Sequence, residues 1–181
     1  VDFENQETGS QMKHLLLTTI AAVVLVGCAG NDGGISGDMI MQASSPLAEA
    51  ARVGNAEEVI ILLAEGNDID ERDIQYNATA LQWAAEYGHR GIVEILISNG
   101  ADLNALNNQG RTALHWATLN SKLEVCKVLI KKGAKLNIRD ENEETPIDFA
   151  ISNGSTNNDE TIVFLRKHGA KTAEELKAEG K

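Results

Sequence analysis

Three stretches of this 181-residue chain begin in register: "TALQWAAEYGHRGIVEILISNGADLNA" from Thr79, "TALHWATLNSKLEVCKVLIKKGAKLNI" from Thr112 and "TPIDFAISNGSTNNDETIVFLRKHGAK" from Thr145. The threonines stand 33 residues apart twice over, and glycines recur at Gly66, Gly100, Gly133 and Gly169. "PLAEAARVGNAEEVIILLAEGNDID" from Pro46 supplies an earlier copy. A period of this length means that each unit is one supersecondary element that cannot bury its own apolar face, so neighbours must stack to make a core. Each unit reads as an N-cap threonine, a short helix, a break at Gly or Asn, a second helix such as Leu123 to Lys131, and a glycine stop. Small residues at Ala50, Ala84, Ala117 and Ala150 suit close helix approach, and Leu62, Leu96, Leu129 and Leu165 suit the space between inner and outer helices.

The motifs "TALHWA" and "TPIDFA", followed by "GHRGIVEILISNGADLNA", resemble the ankyrin-repeat family from Pro46 to about Lys171. The resemblance implies an all-α repeat solenoid of helix-turn-helix units with short β-hairpin fingers. Its four repeats fall at about 46–73, 74–107, 108–140 and 141–171. Segments such as "NALNNQGRT" are the expected fingers, turning on Gly110; Asn77 and Glu143 occupy that place in the neighbouring units, and Glu143 departs from the family pattern. The last unit carries Arg166 where Leu63, Ile97 and Ile130 stand earlier, as a final repeat with nothing stacked on it should. "TAEELKAEG" after it offers a capping box, Thr172 with Glu175, and a short capping helix over 172–181 with a single large apolar residue, Leu176, which predicts a weak cap. The insertion "GSTNND" lengthens the inner turn of the fourth unit.

Ahead of the repeats runs a different segment. Leu15 to Val26 is apolar but only twelve residues long, reaching about 18 Å as a helix against a hydrocarbon core of about 30 Å. Met12, Lys13 and His14 precede it, and Gly27, Cys28 and "AGNDGGISG" follow, the order of an export signal. Leu25-Val26-Gly27-Cys28 resembles the lipobox of bacterial lipoproteins. That resemblance implies a signal peptide over 12–27, a diacylglycerol on Cys28 as mature N-terminus, a membrane held through that anchor, and residence in the bacterial cell envelope. With Ala29 after the cysteine it points to the periplasmic side of the outer membrane. Residues 28–45 form the lipidated N-terminus and linker; 29–44 as a flexible tether reach about 20 to 24 Å. Residues 1–11, "VDFENQETGSQ", place acids ahead of the basic start and are read as an extension foreign to the mature protein.

Residues 1–27 carry Lys13 against Asp2, Glu4 and Glu7, so without them the formal charge moves from -11 to -9. Nucleic acid, which asks for clustered Lys and Arg, is a poor partner for such a chain. Cys126 would be the one remaining thiol, in the apolar helix "LEVCKVLI", without a histidine at helical spacing; an inert core residue is expected. His115 follows "TAL", where the family uses a histidine to brace the helix start; Gln82 and Asp148 fill the same slot, and His89 and His168 sit at a turn and a helix end. No catalytic, cofactor or zinc pattern is present, and neither acidic run, "DIDERD" or "RDENEE", supplies the pattern of central glycine and terminal glutamate of a calcium loop, so they read as solvated fingers. The expected protein is neither an enzyme nor a cofactor or metal binder.

Trp83, Trp116 and Phe149 recur at intervals of 33, each just before the repeated alanine. Two readings stay open: rings packed into the inter-repeat core, or a partly open aromatic ladder offering contact area to a partner. The leading reading is a non-catalytic, monomeric module that binds a protein through its concave face and fingers, using Gln75, Tyr76, Trp83, Glu86, Tyr87, Asn108, Gln109, Arg111, Trp116, Asn120, Glu141, Glu144 and Phe149. The rival functions are an inhibitor or accessory subunit of an envelope enzyme, and a structural envelope protein that self-associates through the aromatics.

Overall fold

A computed structural model describes residues 45–152 and 158–180. The expectations placed on the apolar run, Cys28, the tether and the "GSTNND" insertion lie outside the described residues or at their edge. Among the described residues nine helices follow in order: α1 (Pro46–Val53), α2 (Ala56–Ala64), α3 (Ala80–Tyr87), α4 (Arg90–Ser98), α5 (Ala113–Leu119), α6 (Leu123–Lys131), α7 (Pro146–Ser152), α8 (Asn158–Lys167) and α9 (Ala173–Ala178). The inner helices α1, α3, α5 and α7 stack in sequence, each pairs with the outer helix that follows it, and the outer helices touch their own neighbours. That is an all-α repeat solenoid.

The core is built as the period requires. Leu47, Leu81, Leu114 and Ile147 on the inner helices, the alanines Ala50, Ala84, Ala117 and Ala150, and Leu62, Leu96, Leu129 and Leu165 on the outer ones are all buried in one apolar cluster. None of these helices exceeds ten residues, too short to be stable alone in water, so the inter-repeat contacts carry the helicity. Each outer helix stops the same way. Gly66, Gly100, Gly133 and Gly169 take φ between 87° and 97°, and the next residue's N–H returns to the carbonyls of Leu62, Leu96, Leu129 and Leu165 at 3.0 to 3.1 Å, which satisfies carbonyls the helix end leaves unpaired.

Two expectations change. Among the described residues the fingers contain no strand; a single bridge joins Arg72 and Thr79. Each finger is instead one turn closed by a backbone bond: Asp73 to Ala78 O, Asn107 to Arg111 O, Asp140 to Glu144 O, at 2.9 to 3.0 Å. Neighbouring fingers are tied by Asn108 N–H to Tyr76 O and Glu141 N–H to Gln109 O, both at 3.0 Å. Glu143 closes its turn at φ 63°, as Asn77 does at 54°, in the place of Gly110. In the third unit the helix-to-helix turn passes through Ser121 at φ 54°, not Asn120.

The C-terminal cap is more firmly placed than its composition suggests. Leu176 is buried, Thr172 and Glu175 form the reciprocal capping box, and Arg166 pairs with Glu175. Ala173 N–H donates to Asp148 Oδ2 at 2.9 Å, and Thr145 Oγ1 to Lys171 O at 2.8 Å. The charge that replaces an apolar residue in the last repeat is therefore used to hold the cap.

Candidate functional site

The slot after each helix-opening threonine is a brace. Thr79 N–H donates to Gln82 Oε1 at 3.0 Å, Thr112 N–H to His115 Nδ1 at 3.0 Å and Thr145 N–H to Asp148 Oδ2 at 2.8 Å. Gln82 Nε2 continues to Ala105 O and Arg111 O, and His115 Nε2 to Glu144 O at 3.4 Å, so each brace also grips the next finger. Accepting at Nδ1 and donating at Nε2 makes His115 a neutral imidazole. Burial pushes it down from 6.5 to about 4. His89 Nε2 meets Arg52 O at 3.1 Å and His168 Nδ1 meets Phe164 O at 2.8 Å, both at helix ends. Cys126 is fully buried, and desolvation raises its thiol to about 12, far from a nucleophile at neutral pH.

The acidic fingers differ from expectation in one respect: Asp73 and Asp140 are buried, not solvated. Each opens its finger. Asp73 Oδ1 accepts the Tyr76 N–H at 2.7 Å, and its Oδ2 accepts the indole N–H of Trp83 at 2.7 Å. Asp140 Oδ1 accepts the N–H groups of Asn142 and Glu144, and its Oδ2 takes Arg111 Nε at 3.1 Å. Asn107 holds the same place in the middle finger, with Oδ1 accepting from Gln109 and Arg111 N–H at 2.9 Å. Its Nδ2 is buried without a partner.

On this frame the aromatic register splits. Phe149 is 6 % exposed, set edge-on against His115 and covered by the Arg111 guanidinium at 4.6 Å. It is core, and its place among the contact residues is withdrawn. Trp83 and Trp116 are half-buried. Trp83 packs edge-on with Tyr76 at 5.6 Å and lies 6.3 Å from Tyr87, which stacks on His89. Together Tyr76, Trp83, Glu86, Tyr87 and Trp116 line an open cleft of about 340 Å³, floored by Ala78 and Gln82. The size is that of a small ligand or side-chain site.

Of the other expected contact residues, Gln75, Asn108, Asn120 and Glu141 are exposed, and Gln109, Arg111 and Glu144 are half-buried. Arg111 is committed to Asp140 and Gln109. The structure thus gathers Tyr76, Trp83, Glu86, Tyr87 and Trp116 in one place and leaves Asn120, Glu141 and Glu144 outside it. Sequence reasoning passed over Ala78 and Gln82 in the cleft, and the exposed apolar finger residues Ile74 and Leu106. An isoleucine within the polar run "DIQYNAT" was the available signal. Among the described residues no group of three or more His, Cys, Asp and Glu converges as a metal site, and no helix is long and apolar enough to cross a membrane.

Stacked helix pairs with an exposed finger face define a helical repeat scaffold of the protein-binding kind. A family profile described as "Ankyrin repeats (3 copies)" matches residues 21–107 and 102–175, and the chain belongs to the ankyrin-repeat family. Domains of this family are in general non-catalytic protein-interaction modules. The chain is similar to "Ankyrin repeat domain-containing protein 40" of Mus musculus, 34% identical over 64 residues, which is 35% of this chain and 18% of that protein. The protein of the same name from Homo sapiens is also 34% identical over 64 residues, 35% of this chain and 17% of its own length. The chain therefore spans under a fifth of the length of these curated relatives.

Proposed function

We propose that this chain is an exported, lipid-anchored ankyrin-repeat protein that binds one protein partner without catalysis. The observation that carries the binding face is the Tyr76–Trp83–Tyr87–Trp116 cleft. Large aromatic area is left open on an otherwise packed inner-helix stack, and aromatic residues of this kind supply most of the energy of protein interfaces. The face is pre-organised: Trp83 is held by Asp73, and each finger is tied to the next through backbone bonds, so little entropy is lost on docking.

Support for the anchor comes from the sequence alone. Leu25-Val26-Gly27-Cys28 closes an apolar run too short to span a bilayer, and the residues up to the first repeat can serve as a tether. On this reading the protein sits in the bacterial cell envelope, on the periplasmic side of the outer membrane. Two experiments test the parts separately. Metabolic labelling with a fatty acid should mark the wild type and not Cys28→Ser, which should leave the membrane fraction; unchanged retention would refute the anchor. Crosslinking in the native envelope should catch a partner that the Trp83→Ala/Trp116→Ala variant loses. Equal capture by both would move the binding face elsewhere.

A further inference from the structure

Arg111 shows how this scaffold seats a guanidinium. Its Cζ stands 4.6 Å from the ring centroid of Phe149 and 5.4 Å from that of Trp116, and its Nε donates to the buried Asp140 carboxylate. One repeat toward the N-terminus, the residues in the Trp116 and Phe149 places are Trp83 and Trp116, and the residue in the Arg111 place is Ala78. Two indoles and a methyl group thus bound the space that a guanidinium fills one repeat later, and that space is the open cleft. The counterpart of Asp140 is the Asn107 amide, so the acid of the cleft comes from another position. It is Glu86, in the last turn of α3, where the following repeats carry Leu119 and Ser152.

Glu86 is half-buried among the aromatics, and no donor among the described residues bonds its carboxylate. Burial raises it from the ordinary carboxylate value, against the opposing pull of Arg52. Arg52 is itself engaged by Glu49 at 2.6 and 2.7 Å. A partly desolvated carboxylate beside aromatic faces favours a cation twice over, through ion pairing and through the ring quadrupoles. The planar guanidinium stacks where an ammonium cannot, and the acidic chain, with net charge -11 in full and -9 without residues 1–27, steers positive partners toward it.

We propose that the Ala78 cleft is a socket for an arginine side chain of the partner protein, its guanidinium seated between Trp83 and Trp116 and paired with Glu86. The socket rests on the reading that this face meets a protein, and it can fail while that reading stands. The test follows the indole N–H signals of Trp83 and Trp116 by NMR in the full chain, titrated with acetyl-Gly-Arg-Gly-amide and with the same peptide carrying citrulline. Saturable shifts with arginine and none with citrulline are expected. Glu86→Gln should weaken binding by roughly fivefold, a loss of about 1 kcal/mol, and Ala78→Arg should abolish it by filling the cleft from within. Equal response to citrulline, no response to arginine, or unchanged arginine binding in Glu86→Gln would overturn the socket, whatever the folding of Ala78→Arg. In the envelope, a crosslinked partner lost in the double tryptophan variant but kept in Glu86→Gln and Ala78→Arg would overturn the socket and leave the face; a partner kept in all three would overturn the face.

Discussion

Asp73 holds Trp83: the indole N–H donates to the buried Oδ2 at 2.7 Å while Oδ1 takes the Tyr76 N–H at 2.7 Å. One carboxylate therefore fixes both the finger and the cleft wall. Asp73→Asn keeps a single acceptor oxygen, so an amide N–H must face either a backbone N–H or the indole. The variant should lose about 1 to 3 kcal/mol of stability, read by urea denaturation, and its Trp83 indole N–H should shift and exchange faster. Unchanged stability and exchange would mean that Trp83 is held by packing alone.

Asn107 is the natural counterpart of that variant, with a buried Nδ2 that finds no acceptor. Asn107→Asp restores the carboxylate present at Asp73 and Asp140, and by repeat register places an acceptor toward Trp116. We expect stabilisation of about 1 kcal/mol at neutral pH, seen as a raised denaturation midpoint. Destabilisation would show that no donor reaches the new oxygen and that burying its charge outweighs the gain.

His115 makes stability depend on pH. Its folded-state value of about 4 lies below the unfolded value of 6.5, so between these limits the unfolded chain binds the proton more readily. Stability is full above pH 6.5 and falls as the pH drops toward 4, by up to about 3 kcal/mol. His115→Gln, which copies the Gln82 brace, should keep the fold and flatten this part of the profile, measured by urea midpoints from pH 7.5 to 4. An equally steep profile in the variant would assign the loss to other groups.

Cys126 is inert by burial, with its thiol raised to about 12. In a Cys28→Ser background a thiol reagent at pH 8 should react with the native protein only as fast as the solenoid opens, and at once in denaturant. Immediate reaction without denaturant would show that α6 is exposed.

The C-terminal helix is a working cap. Leu176→Ala removes a side chain that is 7 % exposed and should cost about 2 to 3 kcal/mol, with hydrogen exchange rising first in α7. A change confined to α9 would demote it to a frayed tail.

The repeat, its register, the buried alanines and leucines, the glycine stops and the braces at Gln82, His115 and Asp148 could all be read before any coordinates, because each is a periodic pattern in which residue type and place recur together. The acidic fingers are less legible. In "DIDERD" and "RDENEE" one acid in each run, Asp73 or Asp140, is buried and the rest are exposed or half-buried, and charge alone does not distinguish them. The aromatic register showed the same limit. Trp83, Trp116 and Phe149 stand at one repeat position, yet Phe149 is core and the tryptophans are partly open.

The neighbours in space differ from ring to ring, and Phe149 also packs edge-on against His115. Arg111 lies over Phe149 and Trp116, while Ala78, its counterpart one repeat earlier, leaves the gap beside Trp83 open. The solenoid follows from the order of residues alone, since no unit this short can bury its apolar face except against its own copies. Where the stack is closed and where it stays open is a matter of packing in three dimensions, because it depends on which side chains from adjacent repeats reach the same point.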